Sequence, residues 1–583
     1  MTRHRLSEYA SALGLARPTR GDDPVITQVT YDSREVQPGA LFICKGVHFK
    51  PAFLAEAIKR GAVAYLSEKP YESVIGAKGL PCLLVGDMRA AIATTGTLFY
   101  GCEWDRLTLL GITGTKGKST STIFLQSILA AWMRRVGGPR PGILSSIRYE
   151  DGVSTTASIK TTPETLDLYG HLHNAVAQGL RYMCVEVSSQ GLRYRRVANL
   201  SFEVGCFLNI SEDHISPQEH KDFEDYLSAK LMIFDQSRLA VVNAHTQQVD
   251  RVMAAAGQCE RVVTFAARHQ GACDAVVGGS ASGGVGSGGA VGGSEAGGSD
   301  GVIGDSAPGG SVGGAGSVGD SGSGGSVGSD AVVGDPASGG VAGSGQGPIN
   351  HRWCGQADVV GTDVVSTDAG QEFTVAYDGH VYRCAIGMPG AFNVDNALAA
   401  ISMAWLLGVP DEDIRTGLAS AHVPGRMEVF RLNRGTTVIV DYAHQKLSLT
   451  TLLETVAQEY PQSHLTMVFG ASGNKGLNRH QELGMLAGRN ADEIYLTEDD
   501  PGDVPVLEIA REVDGYVQAT GHGPAHLVAD RPEAIREAVA AAPDDGVVLV
   551  IGKGAEKWQL RGGVNVEVVS DIDTVRAILD AGD

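Results

Sequence analysis

Seven consecutive residues, Gly114-Thr115-Lys116-Gly117-Lys118-Ser119-Thr120, combine two glycines, two lysines and three hydroxyl side chains. Such a run suits the capture of phosphate. Glycines let backbone N–H groups converge on phosphate oxygens, and a helix starting at the end of the run adds the positive end of its dipole. Lys118 would reach the β and γ phosphates of a nucleoside triphosphate, and Ser119 would offer an oxygen to Mg2+. The setting fits, because the apolar run Leu107–Thr113 precedes the loop and a stretch with Ile123, Phe124, Ile128, Leu129 and Trp132 on one helical face follows it. The strict spacing G-x-x-x-x-G-K-[ST] fails at its first position, where Ile112 stands. A Gly/Lys-rich surface turn is the bland alternative, and the flanking strand and helix weigh against it.

The departure is informative, because the run from Gly111 to Thr120 resembles the phosphate loop of the Mur ligase family, which includes the folylpolyglutamate synthetases. Further segments match in that family's order: Asp32-Ser33-Arg34 with Pro38–Phe42, Thr161–Thr165, Glu186–Leu192, Asn209–His214 and Ser228–Lys230. They continue with Phe392–Asn396, Pro424–Glu428, Asp441–His444 and Gly552–Glu556. The likeness covers the chain outside one low-complexity stretch. Asp32-Ser33-Arg34 and Thr161-Thr162-Pro163 resemble the members that add the third amino acid to a UDP-muramoyl dipeptide in peptidoglycan synthesis. Those segments argue against a folate enzyme and against the ligase that adds D-Ala-D-Ala. Joint retention of Lys118, Glu186, His214 and Lys230 argues against an inactive scaffold.

The resemblance implies an ATP-dependent, ADP-forming amide ligase: a substrate carboxylate becomes an acyl phosphate, and an amine attacks through a negatively charged tetrahedral intermediate. By it, Gly114 to Thr120 bind ATP, and Glu186 holds Mg2+ beside Ser119. His214 is implied as ligand of a second Mg2+. Lys230 is implied to be carbamylated, which turns a cation into a carboxylate-like metal bridge. Asn393, Asn396, Arg426 and Asp441 resemble the family's hinge contacts to ATP, a guanidinium suiting phosphate and a carboxylate suiting ribose hydroxyls. Ser33, Thr161, Thr162, Ser188 and Arg196 would hold the UDP-muramoyl dipeptide, with Arg196 suited to its carboxylates.

In members that add meso-diaminopimelate, an Asp-Asn-Pro-Arg run supplies an Arg to the amino acid's extra carboxylate. Here the run reads Asp499-Asp500-Pro501-Gly502. The loss of Arg and the added Asp500 favour a side-chain ammonium, hence L-lysine or L-ornithine, with Asp499, Asp500, Gly552 and Glu556 as the pocket. Two further departures lie nearby: Ala555 replaces the His of Gly-Lys-Gly-His-Glu, and Gln445-Lys446 replaces a frequent Thr-Pro.

The elements that must hold these residues read as α/β throughout. Apolar runs at Leu107–Thr113, Tyr182–Val187, Val204–Leu208 and Leu239–Val242 predict a parallel sheet with helical crossovers. Thr436–Val440, Leu465–Phe469, Glu493–Leu496 and Val547–Ile551 predict a second, Rossmann-like sheet. The expected domains are a substrate-binding module over 1–105, a central nucleotide-binding domain over 106–423 and an amino-acid-binding domain over 424–583. Residues 276–347, almost wholly Gly, Ser, Ala, Val and Asp with no aromatic side chain, predict a disordered insertion. A net charge of −20 excludes nucleic acid as a natural partner. No segment has the length of a signal peptide's apolar core or of a membrane span, and nine cysteines show no C-x-x-C pair. A cytoplasmic monomer with reduced, mostly buried cysteines is expected.

Overall fold

The computed structural model describes residues 3–15, 22–46, 49–74, 79–101, 103–212, 219–268, 357–367, 369–473 and 478–582. The low-complexity stretch 276–347 therefore lies outside the described residues. Three sheets organise the rest. The first is parallel, in the order β1 (Gln28–Thr30), β2 (Ala40–Ile43), β3 (Ala62–Ser67), β4 (Cys82–Leu84). Its strands are short and nearly all buried, in keeping with their continuous apolar sequence.

The second sheet begins with β5 (Thr108–Thr113), the edge strands β6 (Gly142–Leu144), β7 (Arg148–Glu150) and β8 (Thr155–Ala157), and β9 (Tyr182–Glu186). It continues with β10 (Phe202–Phe207), β11 (Ser237–Asn243), β12 (Arg261–Ala267), β13 (Val359–Thr367), β14 (Gly370–Tyr377) and β15 (His380–Ile386). The order β8-β7-β6-β9-β5-β10-β11-β12-β13-β14-β15 places β5 next to β9, with the run from β6 to β13 parallel and both margins antiparallel. Helix α1 (Lys118–Arg135) leaves the loop after β5 and buries Phe124, Leu125, Ile128 and Leu129 completely. Each such side chain contributes about 1.5–3 kcal/mol, which fixes the helix start against the sheet. Helices α2 (Thr165–Ala177), α3 (Phe223–Leu231) and α4 (Phe392–Leu406) place the remaining central site residues.

The third sheet consists of β16 (Glu428–Arg431), β17 (Thr437–Asp441), β18 (Leu465–Ala471), β19 (Glu493–Glu498), β20 (His526–Leu527) and β21 (Val547–Ile551). Their order is β16-β17-β21-β18-β19-β20, parallel except for β16, and helix α5 (Lys446–Glu459) follows β17. The strands expected from sequence all appear, within two residues at each end. The antiparallel margins β7–β8 and β14–β15 were not among the expected strands: β7 and β8 are only three residues long, and β14 and β15 mix buried and exposed positions instead of forming one continuous apolar run. Cys44, Cys82, Cys184, Cys206 and Cys384 are buried, and Cys259 is partly so.

Candidate functional site

The turn between β5 and α1 is built around Gly117, the residue before the helix, at φ 82. A Cβ there would lie 2.1 Å from Oδ1 of Asn396 on α4, so sterics as well as backbone conformation demand glycine. Asn396 Nδ2 donates to Asn393 Oδ1 (3.1 Å), and Asn393 Nδ2 donates to the Pro389 carbonyl (2.8 Å). Asn209, after β10, braces the other side. Its backbone oxygen accepts Thr115 N–H (3.0 Å), its Oδ1 accepts Lys116 N–H (2.8 Å) and its Nδ2 donates to the Lys116 carbonyl (3.2 Å). Thr120 is buried on the first turn of α1.

Below the loop, Ser119 Oγ donates to Glu186 Oε1 (3.2 Å), and Glu186 Oε2 accepts the Ser146 backbone N–H (2.8 Å). Ser146 Oγ lies 2.8 Å from Ser119 Oγ. Three oxygen-bearing side chains thus meet at the carboxyl ends of β5, β6 and β9, where ligands of open α/β sheets bind. Lys118 Nζ donates to the carbonyls of Gly114 and Thr115, both at 3.1 Å. Lys230 Nζ, on a side chain 1% exposed, donates to the same Gly114 carbonyl (2.7 Å) and sits 4.6 Å from the centre of the Tyr226 ring. Two lysine side chains thus converge on one carbonyl of the loop. His214 lies outside the described residues. Among the described residues no three His, Cys, Asp or Glu side chains form a metal-binding group. Ser119 and Glu186 offer oxygen donors alone, the kind a hard cation such as Mg2+ takes.

On the side facing the first sheet, Thr162 Oγ1 donates to the Glu186 carbonyl (2.9 Å) and accepts the Ser188 N–H (2.9 Å), with Ser188 Oγ at 3.1 Å. Ser188 Oγ also accepts the Gly191 N–H, as the N-cap of a short helix. Arg196 donates to the Thr162 carbonyl (3.3 Å) and pairs with Glu164 (2.9 Å). Ser33 is buried behind β1, and Thr161 is partly exposed beside Thr162.

The third sheet closes the far side. Asp441, at the end of β17, accepts N–H bonds from Met427 (2.8 Å) and Ala443 (2.7 Å). Burial raises its pKa against the pull of Arg426, whose guanidinium lies 4.2 Å from the Tyr442 ring centre. Lys116 Nζ bonds to Gln445 Oε1, linking the phosphate loop to the start of α5. Burial, then the Lys116 charge, push His444 down to about 3, so its ring stays neutral and donates from Nδ1 to the Tyr442 carbonyl (2.8 Å).

Beyond it, Glu556 is engaged at both oxygens, by the Tyr442 hydroxyl (2.6 Å) and by Lys553 (2.8 Å). Lys553 also donates to Asp500 Oδ1 (3.1 Å), which accepts the Leu560 N–H as well. Asp500 thus already has an internal cation, which the sequence did not disclose. Asp499 accepts no hydrogen bond among the described residues, and burial pushes it up to about 6 against Lys553 and Arg531. A Cβ on Gly552 would lie 2.6 Å from Asp499 Oδ2, so the glycine keeps that carboxylate approachable. Gly502, at φ 62, puts no side chain into the pocket.

Of the expected residues, Ser119 and Glu186 meet below the loop, Thr162, Ser188 and Arg196 form a second bonded group, and Asp500 and Glu556 share Lys553 on the third sheet. Sequence reasoning missed Ser146, Lys553 and the buried Arg531–Asp571 pair, whose guanidinium also holds the Glu498 and Ile551 carbonyls at 3.1 and 2.7 Å. Ser146 had a signal as a hydroxyl just past the apolar run Gly142–Leu144, and Lys553 lay inside the Gly552–Glu556 match without being assigned a role.

The Mur ligase middle domain matches residues 112–280, and the Mur ligase glutamate ligase domain matches residues 425–554. A UDP-N-acetylmuramyl-tripeptide synthetase of Lactobacillus delbrueckii subsp. bulgaricus is 32% identical over 95% of this chain and 93% of its own. A UDP-N-acetylmuramoyl-L-alanyl-D-glutamate–L-lysine ligase of Enterococcus faecalis is 33% identical over 95% of this chain and 92% of its own. Among solved structures, a UDP-N-acetylmuramoyl-L-alanyl-D-glutamate–2,6-diaminopimelate ligase superposes with a TM-score of 0.56 at 20% identity, covering 99% of both chains.

Proposed function

We infer, from a chain that belongs to the Mur ligase family, that it is an ATP-dependent, ADP-forming ligase adding the third amino acid to UDP-N-acetylmuramoyl-L-alanyl-D-glutamate in peptidoglycan synthesis. L-lysine or L-ornithine is the proposed amino acid. The observation that carries the reading is the loop between β5 and α1, where Lys118 bonds to the loop's own carbonyls and Ser119, next in the chain, bonds to Glu186. That is where charge develops when a carboxylate takes the γ-phosphoryl group.

In this reading Gly114 to Thr120 hold the triphosphate by backbone N–H groups, and Lys118 turns from the loop carbonyls to the β and γ oxygens. Asn393, Asn396, Arg426 and Asp441 line the nucleotide from α4 and the hinge. Ser119 and Glu186 would hold one Mg2+, His214 and carbamylated Lys230 a second, and bound there the ions neutralise phosphate oxygens. Carbamylation joins CO2 to the Lys230 amine with loss of a proton, and burial beside Tyr226 shields the product. Ser33, Thr161, Thr162, Ser188 and Arg196 orient the UDP-linked acceptor so that its carboxylate faces the γ-phosphate. Asp499, Asp500, Gly552 and Glu556 receive the incoming amino acid.

The segments 1–105, 106–423 and 424–583 are the proposed domains for these three tasks. A monomer is the proposed state. Among the described residues no helix is long and apolar enough to cross a membrane. The cytoplasm, where UDP-linked precursors and ATP meet, is the proposed compartment. The test is ADP release that requires the UDP-muramoyl dipeptide and an amino acid together. ATP hydrolysis indifferent to both would overturn the reading.

A further inference from the structure

Three cations converge on one carboxylate where the first sheet meets the second. Glu164 Oε1 accepts Lys160 Nζ (2.6 Å) and Arg196 Nη2 (2.9 Å), and Oε2 accepts Lys45 Nζ (2.7 Å). Lys45 follows β2 and lies over the Tyr31 ring at 3.9 Å, whereas Glu164, Lys160 and Arg196 belong to the central part of the chain. Glu164 precedes α2 at its N-cap and makes no side-chain capping bond, so its carboxylate serves the cations. Burial alone would raise its pKa, yet Lys45, Lys160 and Arg196 outweigh burial and hold it at about 2.

Lys45, Glu164 and Arg196 side chains are 23%, 21% and 12% exposed, so screening by solvent is weak. Asp167, one turn into α2, accepts the Tyr31 hydroxyl and offsets one further charge, which leaves a net cation in a chain of net charge −20. Arg196 Nε is buried without a hydrogen-bond partner, and Arg196 also touches the Thr162 carbonyl, two bonds' reach from Glu186. Matched charges suffice for a brace between two parts of a protein. This one carries a surplus, together with an unmet donor, beside the site proposed for an acidic substrate.

We propose that Lys45 is a substrate-binding residue, reaching from the first sheet to grip, with Arg196, an oxyanion of the UDP-linked acceptor, and that Glu164 is the internal counter-ion that positions both and moderates their pull. The proposal rests on the function given above and adds two residues and their opposed signs to it. The oxyanion is a carboxylate or a phosphate, both of which lysine and arginine hold by charge-assisted hydrogen bonds.

The experiment measures KM and kcat for UDP-N-acetylmuramoyl-L-alanyl-D-glutamate and KM for ATP in wild type, Lys45→Met and Glu164→Gln, at two salt concentrations, with melting temperature as a check on folding. Lys45→Met should raise the acceptor KM about tenfold and flatten its salt dependence, with kcat and the KM for ATP within about twofold. Glu164→Gln, which keeps an acceptor oxygen but removes the charge, should lower the acceptor KM. Repeating the series with the D-isoglutamine analogue, which lacks the α-carboxylate and keeps the reacting one, separates the sources: the Lys45→Met penalty vanishes if the oxyanion is the α-carboxylate and persists if it is phosphate. An unchanged acceptor KM in Lys45→Met overturns the proposal, as does a rise in both variants with a fall in melting temperature, the mark of a brace. A wild type that neither binds nor consumes the acceptor overturns the function itself.

Discussion

Two carboxylate-bearing regions face each other across the site, and they are built on opposite electrostatic plans. At the phosphate loop, Glu186 takes its bonds from Ser119 and the Ser146 backbone, while Lys118 and Lys230 bond to carbonyl oxygens. The Glu186 carboxylate there is held by a hydroxyl and a backbone N–H rather than by a lysine. On the third sheet, Asp500 and Glu556 share Lys553, Glu498 holds Arg561, and Arg531 is closed on Asp571. Here most charges are answered internally, and Asp499 is left with its pKa raised. The first plan suits binding and neutralising a polyanion whatever its side groups. The second suits discrimination, since one unanswered carboxylate in a balanced pocket responds sharply to the charge of what enters.

The comparison can be broken first at Lys230. Lys230→Ala should abolish turnover, a loss of at least about 10³-fold, while leaving ATP binding largely intact, with partial rescue by millimolar carboxylate or added CO2. Wild-type turnover of the alanine variant at low CO2 would remove the carbamate from the account. Glu186→Gln comes next, with kcat reduced about 10²–10³-fold and the KM for the amino acid little moved. A change confined to the amino-acid KM would mean that the two regions are not separate.

The acidic region should reveal itself through pH. The folded-state pKa of Asp499 lies at about 6, above its ordinary 3.8. Its ionised form is therefore disfavoured by folding: the cost is present in full above pH 6 and disappears as pH falls toward 3.8. An ammonium substrate needs the ionised form, so the KM for L-lysine should rise up to about tenfold per pH unit below 6, with no parallel rise for ATP. A flat profile between pH 5 and 7 would show that Asp499 does not touch the amino acid. The smallest effect expected is from deleting 276–347, which should leave kcat within about twofold. The retained residues 268–275 and 348–358 exceed the dozen or so that a parallel crossover from β12 to β13 needs. A large loss with the fold retained would give that segment a role in catalysis.

The same contrast explains what the sequence disclosed. The phosphate loop was legible because its chemistry is local: Gly117, Lys118 and Ser119 are neighbours in the chain, and β5 and α1 announce themselves by apolar period. Buried strands such as β9 and β21 were legible for the same reason. The pairing of Asp500 with Lys553 was not, because 53 residues separate them and either alone reads as a solvated side chain. The Lys45–Glu164 contact spans 119 residues and was equally silent. Motif order pointed to Asp499 and Asp500 as candidates, but the balance of charge there is a tertiary property: Lys553 pairs with Asp500, and Asp499 accepts no hydrogen bond among the described residues.

The most direct test of the account is the ratio of kcat/KM for L-lysine or L-ornithine to that for meso-diaminopimelate, measured as ADP release with UDP-N-acetylmuramoyl-L-alanyl-D-glutamate. Closing the pocket on meso-diaminopimelate would desolvate a second carboxylate beside Asp499 with no cation at position 502, a cost of several kcal/mol. At about 1.4 kcal/mol per tenfold, the account predicts a preference of about a hundredfold or more for the simple ammonium side chain, narrowed by Gly502→Arg with Asp500→Asn. A wild-type enzyme with its highest kcat/KM for meso-diaminopimelate would contradict it.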